Sequence, residues 1–164
     1  MTLREKVEAR LAGDLVPDER VLDALIAFRT GGVRKTMIGG AAGIAGLAGA
    51  AGMALAARRG QAPQVSIATS GRFVFSLTSH RVVLFTVGGV VRAAPGKLLH
   101  SWPLDQLAWV SEPTLISGVA QALRGEIGVT GEGVLGYEFA RLQVEDGRSL
   151  IKRLARALEE LETS

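Results

Sequence analysis

Apolar positions predict a helix near each end of the chain. The N-terminal apolar set, spaced as on one helix face, comprises Leu3, Val7 and Leu11. Thr2 followed by Glu5 is a capping-box pattern, which predicts where this helix begins. Near the C-terminus we predict Ser149 as the cap of a second helix. The apolar face of that helix comprises Leu150, Leu154, Leu158 and Leu161.

Between these two helices the pattern changes to the two-residue period of β-strands. Val21–Phe28 is a short apolar run that fits a buried strand or two turns of helix, and we favour the strand. Residues 72–78 alternate, and the β-branched run 82–87 returns after a polar turn, which predicts a hairpin. Residues 137–144 predict a further strand, and Glu145-Asp146-Gly147 predicts a turn before the C-terminal helix.

Residues 37–57 form an apolar segment without charge or any hydrogen-bonding side chain. As a helix this segment would be about 31 Å long, close to the hydrocarbon thickness of a bilayer. Basic pairs flank it as interfacial anchors would, Arg34 and Lys35 before it and Arg58 and Arg59 after it. We predict a membrane-embedded segment, transmembrane or interfacial. A buried helix and a flexible Gly/Ala linker are the alternatives.

The composition of this segment points to close helix packing rather than to strong insertion. Nine of its residues are alanine and six are glycine, and such small residues let helix backbones approach each other. A stripe of this kind would support a homo-oligomer formed through the segment. The small residues at spacing four are Gly39 and Gly43, which form a GxxxG motif, and Ala42, Gly46, Ala50 and Ala54.

The formal net charge of +3 hides an uneven distribution. Residues 24–104 carry nine basic and no acidic side chains, whereas both ends of the chain are net acidic. This stretch therefore cannot hold a two-carboxylate active site or a carboxylate-ligated metal by itself. The absence of cysteine excludes disulfides, thiolate metal sites and a cysteine nucleophile. Four of the nine cations bracket the apolar segment, and aromatic residues are few, so an anionic lipid surface is favoured over nucleic acid.

Other candidate chemistry is weak. Gly131, Gly133 and Gly136 form a literal G-x-G-x-x-G, but a strand rather than a helix is predicted to follow, so we interpret the string as a hairpin loop. The only histidines, His80 and His100, lack nearby ligand partners, and we predict no metal, no cofactor and no enzymatic activity. Two aromatic residues are candidates for either membrane-interface anchoring or core packing, with packing favoured; they are Trp102 and Trp109.

Four short motifs resemble those of bacterial pleckstrin-homology-like (PH-like) domains. They are DERVL at 18–22, FSLTSHRVVLFTV at 75–87, WPLDQLAWV at 102–110 and LQVEDGRS at 142–149. The resemblance implies an α+β fold, a small PH-like β-barrel or meander closed by a C-terminal helix. The Ala/Gly-rich hydrophobic helical segment would be an insertion into it. The resemblance also implies a lipid-, peptide- or protein-binding module without catalysis.

These patterns divide the chain into three parts: residues 1–36 with the first helix and strand, the apolar segment 37–57, and a PH-like β domain at 61–164. We expect a non-enzymatic protein at the bacterial cytoplasmic membrane, with the PH-like domain on the cytoplasmic side. It would bind anionic lipid or a protein partner, and no nucleic acid is expected. The alternatives are a soluble cytoplasmic interaction module with a Gly/Ala linker and, more weakly, a nucleic-acid-binding protein.

One conflict remains within this interpretation. If Val21–Phe28 is the first strand of the β domain, it must lie on the same side of a membrane as the strands after residue 64. A single crossing by residues 37–57 would separate them, and two crossings of about ten residues each would be too short for helices.

Overall fold

A computed structural model describes residues 1–32, 65–89, 91–118 and 120–163 as an eight-stranded antiparallel sheet with a helix near each terminus. The elements are α1 (Leu3–Leu11), β1 (Val21–Phe28), β2 (Arg72–Thr78), β3 (Arg81–Gly88), β4 (Ala94–Pro103), β5 (Leu107–Val110), β6 (Thr114–Ile116), β7 (Ala122–Val129), β8 (Gly133–Ala140) and α2 (Val144–Thr163). Short 3₁₀ turns at Leu104–Gln106 and Arg141–Gln143 precede β5 and α2. The predicted strand at Val21–Phe28 and the predicted hairpin are confirmed.

The sheet is open, which corrects the predicted barrel. Its strand order is β4-β3-β2-β1-β8-β7-β5, with β6 also paired to β7, and within the described residues no ladder joins β4 to β5. Only the turn Leu104–Gln106 separates these two edge strands along the chain, so the sheet must curve until its edges meet at that corner. Helix α2 lies against this turn and against β5 and β7. The C-terminal helix thus covers the gap between the two edge strands, β4 and β5.

The two largest apolar clusters lie on opposite faces of the curved sheet, and a small third cluster contains Ala120 and Ala122. The larger cluster lies between the sheet and α2, which contributes Leu150, Ile151 and Leu154. The smaller cluster lies between α1 and the outer face of β1–β3, where Val7 and Leu11 are buried. The predicted N-terminal helix is therefore confirmed. The Thr2 side chain caps it, because its Oγ1 accepts a hydrogen bond from the Glu5 amide at 3.2 Å.

The start of the C-terminal helix differs from the prediction. Helix α2 begins at Val144, so the predicted turn at Glu145-Asp146-Gly147 and the predicted cap at Ser149 are both wrong. Glu145 and Asp146 instead occupy the first helical turn, where the helix dipole favours acidic side chains. Gly147 is buried, and a Cβ at this position would overlap the Phe139 ring. The glycine permits close helix–sheet packing rather than a turn.

Strand β7 was missed because glycine and charge interrupt its apolar pattern. A Cβ at Gly125 would overlap the hydroxyl of Tyr137, and one at Gly128 would overlap the Trp109 ring. The two glycines therefore make room for aromatic side chains of the neighbouring strands. Pro95-Gly96 also differs from the prediction, because it was expected in a loop and belongs to β4.

The buried hydroxyl of Tyr137 leads to a stability prediction. This side chain is fully buried, and its oxygen has no hydrogen-bond partner within the described part of the chain. Burial also raises the pKa of the phenol above its ordinary value. Tyr137→Phe is therefore expected to stabilise the protein by up to about 1 kcal/mol in urea unfolding, because it removes an unsatisfied polar group. A loss of stability would show that the hydroxyl is hydrogen-bonded in solution.

Tyr137→Leu is the control for the ring itself. The Tyr137 ring makes an edge-to-face contact with Phe75, with centroids 5.7 Å apart. We expect the leucine variant to lose more than about 1 kcal/mol, because both this contact and ring volume disappear.

The pairing of β1 with β2 resolves the conflict over the apolar segment. Phe28 pairs with Arg72, and the Arg29 amide donates to the Gly71 carbonyl at 3.0 Å, so both flanks of the insertion belong to one sheet. A single membrane crossing between two paired strands is impossible, which corrects the single-span form of the transmembrane prediction. Within the described residues, moreover, no helix has both the length and the apolar character needed to cross a bilayer. The interfacial, buried-helix and linker alternatives stay predictions.

Candidate functional site

A buried ion pair between Glu19 and Arg81 lies among the residues of the PH-like motifs, and Thr78 of the same motifs hydrogen-bonds to it. Glu19 Oε2 accepts hydrogen bonds from Thr78 Oγ1 at 2.6 Å and from Arg81 Nε at 2.9 Å, and the carboxylate side chain is 1% exposed. Burial alone would raise the pKa of Glu19. The hydrogen bonds from Thr78, Arg81 and the Val16 amide act in the opposite direction, as does the positive charge of Arg81. Together they outweigh the effect of burial, so the pKa of Glu19 is lowered.

Arg81 extends this cluster to two more parts of the fold. Its guanidinium donates to Ser101 Oγ of β4 at 3.1 Å and to the Asp14 carbonyl, just after α1, at 3.2 Å. The Glu19–Arg81 cluster therefore fastens the segment between α1 and β1 to the β2–β3 hairpin and to β4. Its role is structural, since every polar group in it is already engaged within the fold.

Each histidine ring makes a polar contact within the fold. The ring Nδ1 of His80 lies 3.0 Å from Ser79 Oγ, and Nε2 of His100 lies 3.0 Å from the Ala68 carbonyl. The His100 ring also stacks on Trp102, with centroids 4.8 Å apart. Where the chain is described, no group of three or more His, Cys, Asp or Glu side chains is arranged to hold a metal ion.

The two tryptophans occupy different environments. Trp102 is 2% exposed and lies in the larger apolar cluster, so its ring is not available as a membrane-interface anchor. This corrects the interface interpretation and leaves core packing. Trp109 of β5 is half-buried, lies over Gly128 and lines a surface groove.

The glycine string at 131–136 forms a hairpin, as predicted, and also lies against the described residues that flank the insertion. Residues 130–132 form the turn between β7 and β8, and Gly131 has a φ of 81° that suits glycine. A Cβ at Gly136 would overlap the hydroxyl of Thr30, just before the insertion, and one at Gly133 would overlap the carbonyl of Val65, just after it. The described residues on either side of the insertion thus lie along β8.

Positive charge gathers where the insertion leaves the sheet. The register joins Phe28 to Arg72, Phe73 to Thr86 and Gly88 to Ala94, so the β1–β2 insertion and the β3–β4 loop emerge at the same end. The exposed cations at this end of the sheet are Arg29, Arg72, Arg92 and Lys97. We call this group the basic end.

Two further observations define the character of the basic end. Val91, in the β3–β4 loop, is 92% exposed and adds an apolar side chain beside the cations. Glu138, opposite Phe28, is buried, and its Oε2 accepts a hydrogen bond from Arg124 Nε at 2.6 Å. This carboxylate is therefore neutralised by an arginine inside the fold and does not offset the exposed cations.

The other predicted site residues lie outside the described residues. The flanking cations and the packing stripe therefore stay predictions, as does an oligomer formed through the stripe. These residues are Arg34, Lys35, Arg58, Arg59, Gly39, Gly43, Ala42, Gly46, Ala50 and Ala54.

A groove of about 350 Å³ runs between β5 and the last turns of α2. Its apolar lining includes Trp109 and Leu158, and its carboxylates are Asp105, Glu159 and Glu162. This groove is not among the sites predicted from the sequence. A usable signal was present, however, because several acidic residues and no basic ones occupy the end of the predicted C-terminal helix, where the helix dipole disfavours them.

Comparison with known proteins returns one similar solved structure. No family model and no curated protein matches the chain. The chain is similar to the crystal structure of a pleckstrin homology domain from Shewanella amazonensis SB2B, at 17% identity and a TM-score of 0.48, with 92% of this chain and 96% of that chain covered. This is the kind of domain that the sequence motifs resemble.

Proposed function

We propose that the chain is a non-enzymatic, membrane-associated PH-like module, whose basic end faces an anionic lipid surface on the inner side of the bacterial cytoplasmic membrane. The observation that carries this proposal is the placement of Arg29, Arg72, Arg92 and Lys97 around the point where the insertion leaves the sheet. Each cation held near an anionic surface contributes about 1 kcal/mol, and the effect fades within a Debye length. The four cations share one end of the sheet, so they would act together.

The insertion would add to the same surface. The described residues that flank it, Thr30 and Val65, lie along β8 next to Gly136 and Gly133, and Thr30 directly follows Arg29 of the basic end. Its predicted flanking cations, Arg34, Lys35, Arg58 and Arg59, would then add charge, and its apolar residues would add contact with lipid.

Vesicle co-sedimentation tests this proposal. The full-length chain should bind phosphatidylglycerol-containing vesicles at low salt and should not bind pure phosphatidylcholine vesicles. The double variant Arg29→Ser/Arg72→Ser should bind about 30-fold more weakly, because two contributions of about 1 kcal/mol each are lost. A wild-type chain that does not sediment with anionic vesicles would contradict the proposal.

Two controls distinguish the effect of where the cations lie from the effect of net charge and from insertion of the apolar segment into the membrane. Lys152→Ser/Arg156→Ser removes the same charge from exposed positions of α2 and should change binding by less than about threefold. A chain without residues 37–57 tests the apolar segment. If high salt releases the wild type from vesicles, attachment is electrostatic; if only the deletion variant is released, the segment is embedded.

The groove beside α2 favours a second candidate, a soluble interaction module that binds a protein partner. Its apolar lining and its acidic residues suit a peptide rather than an anionic lipid. A chain that binds no vesicles yet retains a peptide-binding groove would support this candidate.

A further inference from the structure

Helix α1 is attached to the outer face of the sheet by buried contacts. Its side chains Val7 and Leu11 pack against β1, β2 and β3 in the smaller apolar cluster. Just after the helix, the Asp14 carbonyl accepts a hydrogen bond from the Arg81 guanidinium at 3.2 Å. These contacts fix the position of α1 without any contribution from the loops of the basic end.

Lys6 extends from this helix to the β3–β4 loop. Its Nζ donates a hydrogen bond to the Ala93 carbonyl at 2.9 Å, and Ala93 is the last loop residue before β4. The β3–β4 ladder ends at the pair of Gly88 with Ala94, so this carbonyl lies beyond the ladder. A side chain of α1 therefore supplies a hydrogen-bond donor to the loop where the ladder has ended.

The same contact restrains the backbone of Arg92. Gly89, the first residue after β3, has a φ of 89°, and a Cβ there would overlap the Arg92 carbonyl, so the loop turns back closely on itself. The Arg92 carbonyl belongs to the planar peptide group that joins Arg92 to Ala93. Holding Ala93 therefore limits where Arg92, one of the cations of the basic end, can lie.

The partner of Lys6 leaves its positive charge in place. A backbone carbonyl carries no net charge, so this hydrogen bond does not neutralise the ammonium group. Among the residues that the structure describes, no carboxylate lies within ion-pair distance of Lys6. Lys6 thus fastens the loop without reducing the positive charge around Arg92, as a salt bridge would have done.

We propose that Lys6 is a positioning residue for lipid binding, because it holds the loop in which Arg92 and Val91 are exposed. Arg92 then faces the same anionic surface as Arg29 and Arg72. A loop that is already ordered loses less conformational entropy when it meets the surface, so binding is tighter. This inference rests on the proposed lipid function and makes helix α1 a determinant of it.

Vesicle co-sedimentation of the full-length chain gives the first measurement. Lys6→Met keeps the apolar stem and a good helix former but removes the hydrogen-bond donor and the charge. We expect this variant to bind phosphatidylglycerol-containing vesicles at least about fivefold more weakly than the wild type. Lys6→Arg, which keeps a donor and the charge, should bind within about twofold of the wild type.

Arg20→Met is the matched control for the loss of one cation. Arg20 is exposed and lies beside the β2–β3 turn, at the opposite end of these strands from Arg72. Its loss should change vesicle binding by less than about twofold, because charge effects fade within a Debye length. Equal weakening by Arg20→Met and Lys6→Met would overturn the proposal in favour of a net-charge effect.

A double-mutant cycle separates positioning from added charge. If Lys6 acts by holding Arg92, Lys6→Met should have a smaller effect in an Arg92→Ser background than in the wild type, by a factor of about three or more. Two cations that act independently would give losses that multiply. Independent losses would therefore overturn the positioning role.

A label on the loop measures positioning directly, without vesicles. The chain has no cysteine, so Val91→Cys, at a position that is 92% exposed, accepts a single spin label. Electron paramagnetic resonance should show a more mobile label when Lys6→Met is added and no change when Arg20→Met is added. Equal mobility in all three chains would overturn the proposal.

The inference and the proposed function fail in different ways. If the wild type binds anionic vesicles and Lys6→Met binds them equally well, only the inference is wrong. If the wild type binds no anionic vesicles, the proposed function is wrong and the lipid role of Lys6 is wrong with it. Urea unfolding should give Lys6→Met the midpoint of the wild type; a much lower midpoint would attribute weaker binding to loss of α1 packing and overturn the inference.

Discussion

Replacing Glu19 with glutamine is expected to lower the free energy of unfolding at pH 7 by about 2 to 3 kcal/mol. The carboxylate is buried and accepts hydrogen bonds from Thr78, Arg81 and the Val16 amide. Glutamine keeps the shape but loses the charge, and its NH₂ group cannot accept a hydrogen bond from a donor. Arg81 would then be left 22% exposed without its counter-charge. Urea unfolding of the two proteins measures the difference.

The same comparison has a defined pH dependence. Because the pKa of Glu19 is lowered in the folded state, its charged form stabilises the fold above the ordinary value of 4.5, and this stability is lost as the pH falls through the folded pKa. The gap between wild type and Glu19→Gln should therefore narrow below about pH 4.5. Burial raises the pKa of Asp23, but this group is common to both proteins and cancels in the difference.

Glu8→Gln is the matched control for this experiment. Glu8 is an exposed carboxylate of α1 that lies 4.0 Å from Arg4 in an i,i+4 pair. Its loss should change stability by less than about 0.5 kcal/mol. If Glu19→Gln had an effect as small as this control, the Glu19–Arg81 cluster would not be the fastening that its geometry indicates.

Gly147→Ala is expected to destabilise the protein by about 2 to 3 kcal/mol, opposite in sign to the usual effect of this substitution in a helix. In an open helical position alanine gains about 1 kcal/mol over glycine. Here a Cβ would overlap the ring of Phe139, which is fully buried in the larger apolar cluster and cannot move aside. Helix α2 would have to shift away from the sheet, and thermal or urea unfolding would record the loss.

A double-mutant cycle ties this loss to the ring. Phe139→Leu is destabilising alone because it removes aromatic volume, but it frees space over residue 147. The pair Gly147→Ala/Phe139→Leu should therefore lose less than the sum of the single variants, by about 1 kcal/mol or more. Ser149→Ala, at an exposed position in the same helix, should be neutral or slightly stabilising. Strict additivity in the cycle would show that the loss arises elsewhere in α2.

Where periodicity is unbroken, the sequence was sufficient to predict the elements. Helix α1 and the β2–β3 hairpin follow directly from their apolar spacing, and the capping hydrogen bond of Thr2 forms as its pattern indicates. Strand β1 is the favoured of the two interpretations that its apolar run allowed. The hairpin at Gly131 was also predictable, because a strand rather than a helix follows it. In each case the determining interactions lie within one element or between neighbours in sequence.

Glycines whose partners are distant in sequence could not be interpreted in this way. Gly147 resembles a turn residue until the Phe139 ring is placed above it, and Gly125 resembles a strand breaker until the Tyr137 hydroxyl is placed beside it. The tryptophans make the same point, because Trp102 and Trp109 lie only seven residues apart in the chain but differ in exposure. Their environments depend on which strand becomes the sheet edge.

Both candidate binding surfaces depend on topology. The basic end required the register that brings the β1–β2 insertion and the β3–β4 loop to one end of the sheet. The groove required Asp105 in one turn to meet Glu159 and Glu162 in the final helix. Charge counting located an acid-free stretch and acidic ends, but only the fold arranges them into separate surfaces.

The pairing of Phe28 with Arg72 across the insertion has an entropic consequence. Closing a loop costs free energy that grows only with the logarithm of its length, so doubling the chain between two paired residues adds about 0.6 kcal/mol. Removing residues 37–57 should therefore leave the strand register intact and change folding stability very little. The connection between β1 and β2 is a point where the length of the chain can vary widely while the sheet stays the same.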